Sequence, residues 1–194
     1  KRFHGTSFEI KGLDEYTYSP FNIYGQGFYT TDSHTIAKGY SRKGNGGEEN
    51  IYSISENKTL KIYDLEQGLE NESGVFNALT EAADLDDNLH MAIEEAQIYK
   101  KPTLRKVYDE LRMLDASADE VQDSMDTITA ILENNGYNGV EHIGGQFTNN
   151  DAHNVKIYFN PKRDLDYELV ADPDANAMAA AHDVALVKNK KHKW

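Results

Sequence analysis

Gly25-Gln26-Gly27-Phe28-Tyr29-Thr30-Thr31-Asp32 is the stretch around which the rest of this chain is organised. Aromatic and β-branched residues set between glycines and an aspartate predict a short strand with turns at both ends. Ser33 follows as an N-cap for a short helix over 33–41, which carries Ala37 and Tyr40. Tyr29 and Tyr40 are therefore eleven residues apart, one on a strand and one on the helix after it. Upstream, Phe3-His4-Gly5-Thr6-Ser7 leads from an apolar residue into His-Gly-Thr.

Further along, residues 50–55 and 59–63 read as two strands joined by a turn at Glu56-Asn57-Lys58. The middle changes character. Residues 75–85, 87–99, 102–114 and 118–135 are helical in period, with Pro102 placed where a helix can begin. Leu104, Val107, Tyr108, Leu111 and Leu114 share one face at helical spacing and are expected in the core. Asn134-Asn135-Gly136 ends the last of these helices. Residues 138–143 and 154–159 then read as strands around a Gly- and Asn-rich loop over 144–152, with Pro161 closing the second strand. A terminal helix is expected over 175–187. Strand-rich, helical and strand-rich segments in that order imply an α+β fold. The expected organisation is one domain over 1–165, a helical insertion at about 74–135, and a C-terminal extension over 166–194.

The 194 residues are 39% hydrophobic and 27% charged, the composition of a globular domain. No apolar run approaches the roughly 18 residues that a membrane helix needs, so no membrane partner is expected. Twenty basic against thirty-three acidic residues, a net charge of −13, argue against holding nucleic acid by phosphate neutralisation. The basic stretch over 188–193 reads as a solvated tail. With no cysteine, disulfides, a thiolate nucleophile and cysteine–zinc sites are excluded. The chain opens without an initiator Met or an apolar leader, which predicts that it was cut from a longer protein. No metal site is expected. His34, His90, His142, His153, His182 and His192 show no pair at ligand spacing with a partner acid. Asp84, Asp86 and Asp87 lack the rest of a calcium loop, and Gly44-Asn45-Gly46-Gly47 lacks the Lys-Ser/Thr of a phosphate cradle.

His-Gly-Thr, Gly27-Phe28-Tyr29-Thr30-Thr31-Asp32 and Ala37-Lys38-Gly39-Tyr40-Ser41 together resemble the ADP-ribosyltransferases of the His-Tyr-Glu type, that of diphtheria toxin and the poly-ADP-ribose polymerases. Gly136-Tyr137-Asn138-Gly139-Val140 and Ile157-Tyr158-Phe159-Asn160-Pro161 are similar to modules of that family carried in phage and mobile-element polyvalent proteins. The resemblance covers about residues 1–65 and 134–161. It implies a split β-sandwich that binds NAD as a substrate, with Tyr29 and Tyr40 offering aromatic faces to the pyridinium. Gly5 would bring backbone groups to the carboxamide, beside Thr6. His4 would bond a ribose hydroxyl, and Ala37 stands where the polymerases carry a Ser. The reading requires His4, Tyr29 and Tyr40 to border one cleft.

The family's third element is a Glu near a late strand that stabilises developing positive charge. Two residues compete for that role: Glu141, which carries the charge, and Gln146, which lies in the loop. The resemblance implies a mono-ADP-ribosyltransferase, with Tyr29 and Glu141 or Gln146 in the catalytic set. The acceptor would be a macromolecule, in particular a protein, in a bacterial, phage or effector setting in bacterial or host cytoplasm. An NAD glycohydrolase and a non-catalytic NAD-binding module are the alternatives. An RNA 2′-phosphotransferase would need several more cations for phosphates.

Overall fold

Short β-rich segments from both ends of the chain assemble into one mixed sheet. The structure is a computed structural model that describes residues 1–14, 22–43, 49–145 and 151–170. Gly44-Asn45-Gly46-Gly47, Gln146, the helix expected over 175–187 and the basic stretch after it lie outside the described residues.

In chain order the elements are β1 (Arg2–Thr6), β2 (Phe28–Thr31), α1 (His34–Lys43), β3 (Asn50–Glu56) and β4 (Ile62–Asp64). A 3-10 turn (Leu69–Asn71) leads into α2 (Ser73–Ala83), α3 (Asp87–Gln97), α4 (Leu104–Met113) and α5 (Ala118–Asn134). The chain returns through β5 (Gly139–Gly144), β6 (His153–Tyr158), α6 (Pro161–Asp164) and β7 (Leu165–Leu169). The sheet order is β4-β5-β6-β2-β1-β3-β7. Every neighbouring pair is antiparallel except β4 and β5. A parallel pair needs a long crossover connection, and the helical segment expected at about 74–135 supplies it.

Capping side chains fix where the helices of this crossover begin. Asp86 accepts from the Leu89 amide at 3.0 Å, Thr103 from Lys106 at 3.2 Å, and Ser117 and Glu120 form a reciprocal capping box. Thr103, not Pro102, therefore caps α4, and Leu114 falls just outside it. Leu104, Val107, Tyr108 and Leu111 of α4 are fully buried with Leu89, Ile128 and Leu132 of the neighbouring helices. This core closes on Val140 of β5 and Ile157 of β6. A second, smaller cluster of Phe28, Tyr52, Ile54, Tyr158 and Leu165 lies apart from it. The register assigns these residues to the opposite sheet face, since paired residues share a face and neighbours along a strand alternate.

Two expectations need correction, and one residue gains a second role. The strand expected over 59–63 is shorter, β4 at Ile62–Asp64, and it is not a neighbour of β3. β4 is an edge strand, whereas β3 lies toward the other end of the order between β1 and β7; the turn at Asn57 is tied by its amide to Asp164 O (3.1 Å) and leads the chain away from β3. Pro161 opens α6, with the Asn160 side chain as its cap, as well as ending the preceding strand. The boundary expected at 165 falls at the first residue of β7, whose five residues pair with β3, so the sheet extends through Leu169.

The core of the crossover predicts a graded mutational response. Leu111→Ala should cost about 2–5 kcal/mol by urea unfolding, because it leaves a cavity. Ser117→Ala, which removes only a cap, should cost about 1 kcal/mol. Similar losses from both would contradict the packing described.

Candidate functional site

β1 pairs with β3 along its whole length, and β2 pairs with β6 along its whole length. Between β1 and β2 there is a single paired position, Phe3 with Thr31. The two strands therefore join at one point and diverge beyond it. Arg2 reinforces the junction on one face. Its guanidinium donates to Thr30 Oγ1 (2.8 Å), Asn154 Oδ1 (2.8 Å), Asn154 O (3.0 Å) and Thr30 O (3.1 Å), spanning β1, β2 and β6. His4 bridges the opening, with its Nδ1 2.7 Å from Tyr29 O and its ring stacked on Phe28 at 4.4 Å. A carbonyl only accepts, so Nδ1 carries the proton and Nε2 is the acceptor of the neutral ring.

Strand alternation also orients Gly5. Val170 N donates to Ile51 O (2.8 Å), which turns the peptide groups of Ile51 toward β7 and those of Tyr52 toward β1. Tyr52 pairs with His4, so the Gly5 N–H and C=O point the other way, into the gap between β1 and β2. α1 lies across Gly5, and a Cβ on that glycine would sit 1.7 Å from Ala37 O. Close approach of helix and strand thus requires Gly5, and Ala37 beneath is fully buried. Ser33 caps this helix by accepting from the Ile36 amide at 3.3 Å. Tyr40, one turn beyond Ala37, is 51% exposed.

The gap opens into a cleft of about 480 Å³, within the size range of small-molecule sites. His4, Gly5, Thr6, Tyr29, Ala37 and Tyr40, drawn from three separate stretches of sequence, all line it. The Tyr29 hydroxyl is already committed, donating to Gly25 O (2.9 Å) and accepting from the Tyr24 amide (3.2 Å). Burial pushes its pKa well above the usual phenol range, so it remains protonated.

The far wall holds residues that were not singled out from sequence: Tyr24, Arg105, His142 and His153. Arg105, near the start of α4, is buried and pairs with Glu66 while donating to Ile143 O at 3.1 Å. Only its place beside the apolar stripe of α4 hinted at burial. His142 is 7% exposed, its ring centroid lies 4.4 Å from that of Tyr24, and its Nδ1 makes no hydrogen bond. Burial lowers the pKa of both His4 and His142 to about 4, and the Arg105 charge acts in the same direction on His142. Both rings are therefore neutral at pH 7. No carboxylate lines the cleft among the described residues.

Glu141 is not among the residues that line the cleft. It pairs in register with Lys156 on the sheet face opposite His142, where its carboxylate accepts from Asn154 Nδ2 at 3.3 Å. Adjacent side chains on a strand point to opposite faces, and of these two neighbours only His142 is among the residues that line the cleft. Gln146, its competitor, lies outside the described residues. Among the described residues no group of three His, Asp or Glu could hold a metal ion, and no helix is long and apolar enough to cross a membrane.

The depressed imidazoles predict a particular acid response. Their folded-state pKa lies below the unfolded value, so the unfolded chain binds more protons between about pH 6.5 and 4. Stability should be fully present above that window and fall as pH drops through it. His142→Phe should flatten the fall in a pH series of urea melts, and an unchanged slope would count against the buried neutral ring. No known protein family, curated protein or solved structure matches this chain.

Proposed function

We propose that the cleft binds NAD and cleaves its nicotinamide–ribose bond, transferring ADP-ribose to a macromolecular acceptor, in particular a protein. The convergence of His4, Gly5, Thr6, Tyr29, Ala37 and Tyr40 on one cleft carries this reading. These residues form the motif set that resembles the His-Tyr-Glu ADP-ribosyltransferases, and their positions fit the chemistry of the substrate. A flat cationic pyridinium is attracted to aromatic faces, and Tyr29 and Tyr40 both contribute to the walls. A carboxamide needs both a donor and an acceptor, which the Gly5 N–H and C=O present to the gap. The Nε2 of a neutral His4 can accept from a ribose hydroxyl. On this reading the single-point junction of β1 and β2 is the split of an ADP-ribosyltransferase sandwich. The β4–β5 crossover would be an elaboration carried on its sheet.

Holding NAD bent against these walls places the scissile bond for departure of neutral nicotinamide, so that binding energy goes into geometry. A second reading, NAD binding without turnover, is favoured by the lack of a carboxylate among the described lining residues. Release of nicotinamide separates the two.

Titration with NAD followed by a nicotinamide-release assay tests the proposal. Tyr40→Ala should weaken NAD binding about tenfold or more and leave the melting temperature near that of the wild type, because Tyr40 is half exposed. Glu141→Ala should retain activity within about twofold, since Glu141 is not among the residues that line the cleft. Failure of the wild-type protein to bind NAD would overturn the assignment.

A further inference from the structure

His153 opens β6 and is one of three imidazoles that line the cleft, with His4 and His142. Their surroundings divide their possible roles. His4 spans the splayed strands, with Nδ1 on Tyr29 O and its ring against Phe28. His142 is enclosed beside Tyr24 and Arg105, where taking up a proton is disfavoured by burial and by the guanidinium. His153 is anchored from behind, its Nδ1 2.9 Å from Asp151 O. Because that carbonyl can only accept, Nδ1 carries the proton and Nε2 holds the lone pair.

The His153 ring, 9% exposed, packs over the opposing strand. Gly144 is the register partner of His153, and a Cβ there would stand 2.7 Å from Nε2 and 2.8 Å from Val155 Cγ2. Any larger residue at 144 would displace the imidazole. Gly144, Gly145 and Val155 all border the cleft with His153, and the unprotonated nitrogen packs over the Gly144 backbone beside the Val155 side chain. A ring fixed by a backbone carbonyl, set in the lining of a small-molecule cleft with a lone pair on its second nitrogen, has the chemistry of a general base.

We propose that His153 is the general base of the reaction, accepting a proton from a hydroxyl acceptor; this rests on the NAD reading above. The C1′–N1 bond of NAD breaks and its electron pair leaves with neutral nicotinamide. The acceptor oxygen, from water or from an alcohol side chain, forms the new bond to C1′. Its proton passes to His153 Nε2, giving an imidazolium whose Nδ1–H remains on the Asp151 carbonyl. The titratable and charged groups around this imidazole are Asp151 before it in the chain, Asp32, whose carboxylate accepts from the amide of the adjacent Asn154, His142 on the neighbouring strand β5, and Arg105, paired with Glu66, elsewhere in the cleft lining. A base in this place suits a neutral hydroxyl acceptor, which must lose a proton, better than a carboxylate, which has none to lose.

The test uses the whole chain, NAD, and water or a serine-containing peptide as acceptor. Wild type and His153→Ala are compared for NAD affinity, rate of nicotinamide release and rate against pH. His153→Ala should lower the rate about 100-fold, leave NAD affinity within about threefold and lose the acid limb of the pH profile. Added imidazole should restore part of the rate. His153→Ala that turns over at the wild-type rate, or keeps the acid limb, overturns the assignment of the base and leaves NAD cleavage standing. Loss of NAD affinity in His153→Ala together with no rescue by imidazole shows a merely structural role and equally overturns it. A wild-type protein that neither binds nor cleaves NAD removes the underlying reading, and the base with it.

Discussion

One backbone pair, Phe3 with Thr31, joins the two halves of the sheet, and the site depends on that junction. A fully paired β1–β2 ladder would close the gap and bury the peptide groups that now face it. A junction with no pairing would let β1-β3-β7 separate from β4-β5-β6-β2. Arg2 resolves the conflict by reaching from β1 to Thr30 and Asn154 on the next two strands. His4 does the same inside the gap, supplying to Tyr29 O the donor that a strand neighbour would otherwise provide.

The junction explains why small residues cluster around it. Gly5 admits the backbone of α1 at Ala37, and Gly27 would carry its Cβ 2.4 Å from Ile157 Cγ2. α1 on one side and the α2–α5 crossover on the other frame the opening between them. The crossover also does more than connect β4 to β5. It places Arg105 against the cleft and holds its charge with Glu66, so a cation is built into an otherwise apolar recess of an acidic protein.

Electrostatically the cleft is unusual in what surrounds its imidazoles. His4 and His142 are held neutral by burial, and the His153 ring is anchored through Nδ1 on a backbone carbonyl. Three rings of one residue type thus have three different environments, set by whether each ring bridges strands, is enclosed by aromatic and cationic neighbours, or stands at a strand end. Carboxylates near the site are directed elsewhere: Glu141 to Asn154 on the far face, and Glu66 to Arg105.

Local order in the chain was enough to predict the helices of the crossover, the cap at Ser33 and most of the strands, while the resemblance singled out His4, Gly5, Thr6, Tyr29, Ala37 and Tyr40, which line one cleft. Those features rest on periodicity, capping chemistry and motif spacing, all of which are short-range. The strand β7, the distant placement of β4 from β3, and the wall of Tyr24, Arg105, His142 and His153 were not legible, because each depends on partners far away in sequence. Alternation along β5 puts Glu141 and His142 on opposite faces, but a strand pattern does not say which of them meets the cleft. Only the sheet order decided that, by setting β5 beside β6 with the helical layer over the His142 face; a period of two is symmetric between faces until packing covers one of them.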